Sequence, residues 1–264
     1  MGQSNRSGVT FGWHAPEHFG RSPHEGRATA LSGMGGRSNH VRLEVPPVVY
    51  NQHSVGRCVA EALAFCAELL AARAGYRRER PDRTSLYWRI RSAIGTTGED
   101  SGGTIADGVA ALRGGWEPEL AEPSPVFDAS YVRAPERLPP DAPRVVSAEP
   151  LAHDLATVAW ELECGHPVAV GLRTTAQWQT LLGGTSDRLP PPDGDVEAGH
   201  AVALVGFQRD ATGLEFRVRN SWGAGWGDGG EAWLPAEWLS LLWCGELYAL
   251  RAVRRAAPPP SGVP

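Results

Sequence analysis

The run Asn51-Gln52-His53-Ser54-Val55-Gly56-Arg57-Cys58-Val59-Ala60 constrains this chain more than any other stretch. It is turn-like from Gln52 to Gly56 and then delivers one cysteine to the start of an apolar, alanine-rich segment. From Cys58 to Ala74 good helix formers follow one another, and Gly75 is a stop signal, so the spacing predicts a helix. A thiol in the first turn of a helix feels the positive end of the macrodipole, which favours thiolate over thiol. Arg57 adds a second positive charge beside it. The local sequence therefore describes an activated cysteine. A lone cysteine at the head of an apolar helix is more often core filler, so the reading depends on what the rest of the chain supplies.

Two later features supply it. Gly199-His200-Ala201-Val202 offers a base, and Asn220-Ser221-Trp222-Gly223 offers a residue to orient that base. The order Gln52, Cys58, His200, Asn220, with Gln-x5-Cys, Gly-His-Ala-Val and Asn-Ser-Trp-Gly-x-x-Trp-Gly as local contexts, resembles the papain-like cysteine peptidases over residues 44 to 252. The resemblance implies a two-lobe α+β fold with the active site in the cleft between the lobes. A helical lobe, residues 44–148, would carry Gln52 and Cys58, and a β-barrel-like lobe, 149–255, would carry His200 and Asn220. Residues 1–43 read as a flexible arm, with a short segment around Phe11-Gly12-Trp13 docking on the body, and 256–264 as a disordered tail. The arm is shorter than the folded inhibitory prosegment of secreted family members, which argues against classical zymogen control. Those members usually carry a structural cysteine three residues before the nucleophile; here that position is Val55.

Composition bounds the alternatives. The 32 glycines and 22 prolines stay below the range that signals disorder, and many sit at the two ends. A net charge of -5 gives no case for nucleic acid or a membrane surface. No stretch is long and apolar enough to span a bilayer, and the polar Met1–Thr10 lacks the apolar core of a signal peptide. Every basic side chain is arginine, and the Ala, Gly and Pro content fits GC-rich, bacterial codon usage. With Cys58 reserved as a thiolate, Cys66, Cys164 and Cys244 allow one disulfide at most, which fits a reducing cytoplasm. His14, His18 and His24 read as solvated side chains and not as metal ligands, so no metal is expected.

Further along, Arg83 to Ile94 and Ile105 to Arg113 read as helices, with Leu86, Tyr87 and Ile90 as packing residues. Between them lies Glu99-Asp100-Ser101-Gly102-Gly103-Thr104, where paired glycines let a peptide backbone approach closely. Asp100 and Asp107 read as capping and surface groups. By resemblance Gly102 and Gly103 line the cleft, Gly199 adjoins it, and Trp222 shields the His–Asn hydrogen bond from water. Trp116 to Pro150 is an aperiodic crossing, 151–163 is helical, and Pro167 to Leu172 is a strand. Ala201–Phe207 and Leu214–Arg219 form a hairpin which, centred on Asp210, sets His200 directly opposite Asn220. Trp233, Trp238 and Trp243 are expected inside the closing strands.

The implied chemistry is acyl transfer through a thioester. Cys58 attacks a peptide carbonyl, His200 gives its proton to the leaving amine, and Asn220 fixes the imidazole. Gln52 and the Cys58 backbone N–H meet the oxyanion, one such donor being typically worth about 3 kcal/mol. No cofactor is required. The expected function is a cysteine endopeptidase acting on a specific protein or precursor peptide, with room for a regulatory protein partner. An inactive peptide-binding module, or an acyl transferase or deamidase using the same thioester, are the rival readings. His53, Arg57 and Val59 stand where the family has Gly, a small residue and an aromatic; His53 and Arg57 would crowd the primed side, select acidic substrates or perturb the ion pair.

Overall fold

The computed structural model describes residues 11–15, 38–76, 80–211 and 213–255. The expectations for His18, His24, the first ten residues and the tail from 256 onward fall outside that set.

Helix α1 (Cys58–Arg73) is the central element, and it is buried on nearly every side. That follows from its sequence, which is apolar all round and built on small alanines that allow neighbours to approach. Helix α2 (Arg83–Ala93) starts where the Asp82 carboxylate caps the Ser85 N–H, and α3 (Ile105–Gly114) starts at a Thr104 cap on Asp107. The three helices pack on one another and form the helical lobe. The short α4 (Ala129–Val132) and α5 (Leu155–Glu163) follow along the chain.

The second lobe is a seven-stranded antiparallel sheet. Its strands are β1 (His40–Arg42), β2 (Arg144–Pro150), β3 (Val168–Thr174), β4 (Ala198–Asp210), β5 (Gly213–Arg219), β6 (Glu231–Pro235) and β7 (Cys244–Arg254). The order is β2-β7-β3-β4-β5-β6, with β1 on β4. Two strands were not expected from the sequence. β1 lies within the stretch read as an arm, and β2 starts inside the proline-rich crossing, so the sheet draws on both sides of position 148. Trp238 is fully buried as expected, but Trp233 and Trp243 are only half-buried.

The hairpin register also differs. Asp210 pairs with Gly213, Phe207 with Phe216 and Ala203 with Arg219, with a bulge between Leu204 and Gly206. The pairing of Asp210 with Gly213 and that bulge replace a hairpin centred on Asp210, and a bulge re-aims the strand that carries it. Extrapolated past Arg219, Asn220 lies diagonal to His200, two residues out of direct opposition. Both stay on one face because the shift is even. Glu215, Arg217 and Arg219, on the other face of β5, are buried in ion pairs with Glu231, Asp228 and Arg188.

Candidate active site

Cys58 is the first residue of α1, and its side chain is completely buried. Backbone N–H groups of Ala201, Gly12 and Val59 surround the sulfur, so the thiol lies against the start of β4, next to His200. His200 Nε2 is 2.8 Å from Asn220 Oδ1, while Nδ1 is buried with no hydrogen-bond partner. Asn220 Oδ1 also accepts from the Ser221 N–H at 2.8 Å, which fixes the amide's orientation. Gln52 is buried six residues before Cys58, where its Oε1 accepts from Ser221 Oγ at 2.7 Å and its Nε2 donates to Val55 O at 3.0 Å. The Val55 carbonyl can only accept, which forces Nε2 to be the edge turned toward the loop. The four residues read from sequence as chemical thus converge from three segments 168 residues apart at their extremes (Gln52 to Asn220).

Trp222 roofs the imidazole, with ring centroids 4.9 Å apart, and Trp178 closes another side at 5.9 Å. Trp178 was not legible as a site residue, since nothing in Ala176-Gln177-Trp178 marks it.

Arg57 does not act as expected. It points away from the thiol, fully buried, with Nε on Glu61 at 2.5 Å, Nη2 on Asn51 O at 2.9 Å and Nη1 on Ser124 O and Tyr131 Oη. Its charge is spent on Glu61, which Arg83 also grips at 2.8 Å. Burial alone would raise the Glu61 carboxyl, but the two guanidinium groups outweigh it and hold it below the ordinary range. Arg57 therefore neither crowds the cleft nor selects acidic substrates. His53 is exposed in the left-handed region (φ 49°), held by its N–H on Asn51 Oδ1.

The cleft is filled by the chain's own residues. Phe11 packs edge-on against His200 and Trp222 at 5.8 and 5.7 Å. Gly12 lies so close to the nucleophile loop that a Cβ there would come within 1.6 Å of Gly56 O. Gly103 N donates to Gly12 O at 2.8 Å, His14 N to Gly103 O at 3.0 Å, and Trp13 N to Gly199 O at 3.3 Å. The Trp13 indole lies over Gly171 and donates to Glu246 Oε2 at 2.7 Å. Gly102, Gly103, Gly199 and Trp222, the positions expected to receive an extended peptide, receive residues 11–14. A Cβ at Gly102 would meet Gly12 O at 1.9 Å.

The seated segment is not posed as an acyl donor. Attack needs a carbonyl carbon at the sulfur with its oxygen toward the oxyanion donors. Gly12 instead presents its N–H to Cys58 and gives its carbonyl to Gly103, and Trp13 pairs with Gly103 in parallel. Burial under this segment pushes the Cys58 thiol up to about 12, despite the helix N-terminus and three N–H donors. Burial likewise lowers His200 to about 4, with the Asn220 bond opposing. The activated thiolate expected from sequence is thus a neutral thiol in this closed form, because desolvation outweighs the dipole.

The architecture is a papain-like fold. The model of the papain family cysteine proteases matches residues 144–236, which hold His200 and Asn220. The solved structure of xylellain, a cysteine protease from Xylella fastidiosa, superposes with a TM-score of 0.74 at 25% identity, over 96% of this chain and 99% of that one. The bromelain protease of Ananas comosus, solved with the E64 inhibitor, shares the fold at 16% identity and a TM-score of 0.62, over 81% of this chain and 99% of that one. Ananain from Ananas comosus is 38% identical over 65 residues, 24% of this chain and 18% of ananain. Cysteine proteinase A from Leishmania mexicana is 35% identical over 80 residues, 30% of this chain and 21% of that protein. These curated matches span only about a fifth of their proteins' lengths. The chain thus has a papain-like fold, and its residues 144–236 match the papain family cysteine proteases.

Proposed function

We propose that the chain is a cysteine endopeptidase that hydrolyses a specific protein or precursor peptide through a thioester on Cys58. The observation that carries this reading is the His200–Asn220 pair at 2.8 Å beside a cysteine on a helix N-terminus. In the open form, the thiolate adds to the carbonyl and the imidazolium passes its proton to the leaving amine. Gln52 Nε2 and the Cys58 N–H receive the oxyanion. Water then attacks the thioester, with His200 as base, and releases the acid and the free thiol. Residues 11–14 hold the resting form closed. The four cysteines, all free, support a reducing compartment such as the cytoplasm. Among the described residues no helix is long and apolar enough to cross a membrane, and no group of His, Cys, Asp and Glu is arranged to hold a metal.

The buried, neutral thiol gives the peptide-binding reading a specific foothold. The two separate in one experiment: the full-length chain and its Trp13→Ala and Cys58→Ala variants are incubated with a proteome-derived peptide library, and new termini are sequenced. The peptidase reading expects cleavage that Trp13→Ala increases and Cys58→Ala abolishes. Retention of peptides without cleavage in both variants would favour a binding module.

A further inference from the structure

Asp100 read from sequence as a capping or surface carboxylate, but its contacts assign it elsewhere. It lies in the loop just ahead of Gly102-Gly103, and it reaches back to the loop just ahead of Cys58. Gly56 N donates to both of its oxygens, at 3.0 and 3.1 Å. Tyr87 Oη donates to Oδ1 at 2.6 Å, and that same phenol oxygen accepts from Gly102 N at 3.0 Å. Gly56 sits two residues before the nucleophile, and Gly102 two residues after Asp100. One carboxylate and one phenol therefore tie the nucleophile loop to the edge on which a peptide backbone pairs.

The tie is itself held rigidly. Tyr87 is fully buried on α2, so its hydroxyl cannot turn to water. Arg91, one turn further along the helix, stacks its guanidinium 4.3 Å from the Tyr87 ring centre. Arg91 in turn is pinned by the carbonyls of Thr97, Glu99 and Tyr131 at 2.7, 2.9 and 2.5 Å. Burial and the Asp100 charge keep the phenol protonated, which keeps it a donor to the carboxylate. Position 56 leaves little room, since a Cβ there would lie 3.1 Å from Asp100 Oδ1. This segment is held to the Gly102–Gly103 loop by hydrogen bonds.

We propose that Asp100, together with Tyr87, is a positioning residue of the peptidase, which keeps a peptide docked on Gly102–Gly103 in register with Cys58 and its oxyanion donors. The proposal rests on the endopeptidase reading and adds to it the device that aligns the two loops. Asp100 touches no reacting atom. Its loss shifts the docking edge relative to the sulfur, and a misplacement of about 1 Å costs roughly 100-fold in a positioned reaction.

The test uses the full-length chain with Trp13→Ala to clear the cleft, alone and with Asp100→Asn, Tyr87→Phe or both. Cys58 is titrated with iodoacetamide, which needs no docking edge, and with a peptidyl epoxide, which does. Labelling rates are read by mass spectrometry. The expected result is iodoacetamide labelling within about twofold of the parent and peptidyl labelling down about 10- to 100-fold in each variant. The double variant should be little worse than either single one, because the two groups act as one tie. Equal loss with both reagents, or no loss with either, would overturn the proposal. Hydrogen exchange judges it without any chemistry at Cys58. Tyr87→Phe should speed exchange at Gly56 as well as at Gly102, and a change confined to Gly102 would also overturn it. Slow iodoacetamide labelling of the parent itself would count against the peptidase reading, and the exchange result would still decide the tie.

Discussion

His200 and Asn220 meet at 2.8 Å although they are not partners across the hairpin: Ala203 pairs with Arg219, which leaves the two diagonal. Diagonal neighbours on one sheet face lie about 7–8 Å apart at Cα, within reach of long side chains. The imidazole spans that gap by turning Nε2 toward the amide, which leaves Nδ1 without a hydrogen-bond partner. Asn220→Ala removes the acceptor and frees the ring to rotate. We expect kcat to fall about tenfold or more with KM little changed, checked on a substrate found with the peptide library. An unaltered kcat would mean that packing by Trp178 and Trp222 alone orients the ring.

The contact of Gly12 with the nucleophile loop makes a second prediction. Gly12→Ala places a methyl where Gly56 O stands, 1.6 Å from the ideal Cβ, so residues 11–14 cannot seat. Trp13→Ala reaches the same end by removing the bond to Glu246. Both should raise the rate of Cys58 alkylation at neutral pH by about tenfold or more, since one lost tenfold of docking equilibrium is only about 1.4 kcal/mol. Labelling located by mass spectrometry checks it.

The closed form should also carry a pH signature. His200 is lowered to about 4 by burial, against an ordinary 6.5. A depressed imidazole contributes stability that is complete above pH 6.5 and is lost as pH falls toward 4, because the released or unfolded ring takes the proton first. In NMR titrations, the His200 ring should stay neutral down to about pH 4 in the parent chain. In Trp13→Ala its midpoint should rise toward ordinary values or beyond them, as water and the thiolate become available. Identical midpoints would show that the arm does not desolvate the ring.

Beneath the site, Glu61 is shared by Arg57 and Arg83, and Arg83 continues to Glu119 at 2.7 Å. All three charges at the centre are buried. Glu61→Ala leaves two guanidinium groups without their carboxylate, and breaking a buried pair typically costs about 3–5 kcal/mol. Urea unfolding of the Cys58→Ala chain, with and without the change, measures this free of self-cleavage. A cost below about 1 kcal/mol would place the pair in the weak, surface class.

His53 offers a contrast. Its positive φ carries strain of about 1–2 kcal/mol that glycine would not feel. His53→Gly should therefore leave activity unchanged and raise stability, or at least not lower it. Loss of activity would reveal a role that its exposed position does not suggest.

These residues also show what the sequence carried and what it did not. The α1 helix, its cysteine and the Gly-Gly edge were legible because periodicity and turn chemistry are local. The His–Asn pair was legible as motifs, but its register was not, since a bulge at Val205 and the pairing of Asp210 with Gly213 leave no mark in the apolar alternation. Arg57 misled because its partners Ser124 and Tyr131 lie 67 and 74 residues away. Trp13 and Glu246, separated by 233 residues, meet only once both lobes are assembled. Phe11 to Trp13 were expected to dock, yet nothing local says where. Their seat in the cleft reverses the thiol's expected state, because desolvation is a property of the whole assembly and the helix dipole is not.

The central claim is that Cys58 and His200 form a nucleophilic pair once residues 11–14 leave. The most direct measurement is the pH dependence of Cys58 alkylation by iodoacetamide in the full-length chain, with and without Trp13→Ala, and with His200→Ala added. In the parent chain the rate should rise only at alkaline pH, in keeping with a thiol pushed up to about 12. In Trp13→Ala it should be fast well below pH 7 and fall when His200 is removed. If the opened Cys58 still titrates like an ordinary thiol near 8.5, and His200→Ala makes no difference, the pair does not exist and the peptidase reading is contradicted.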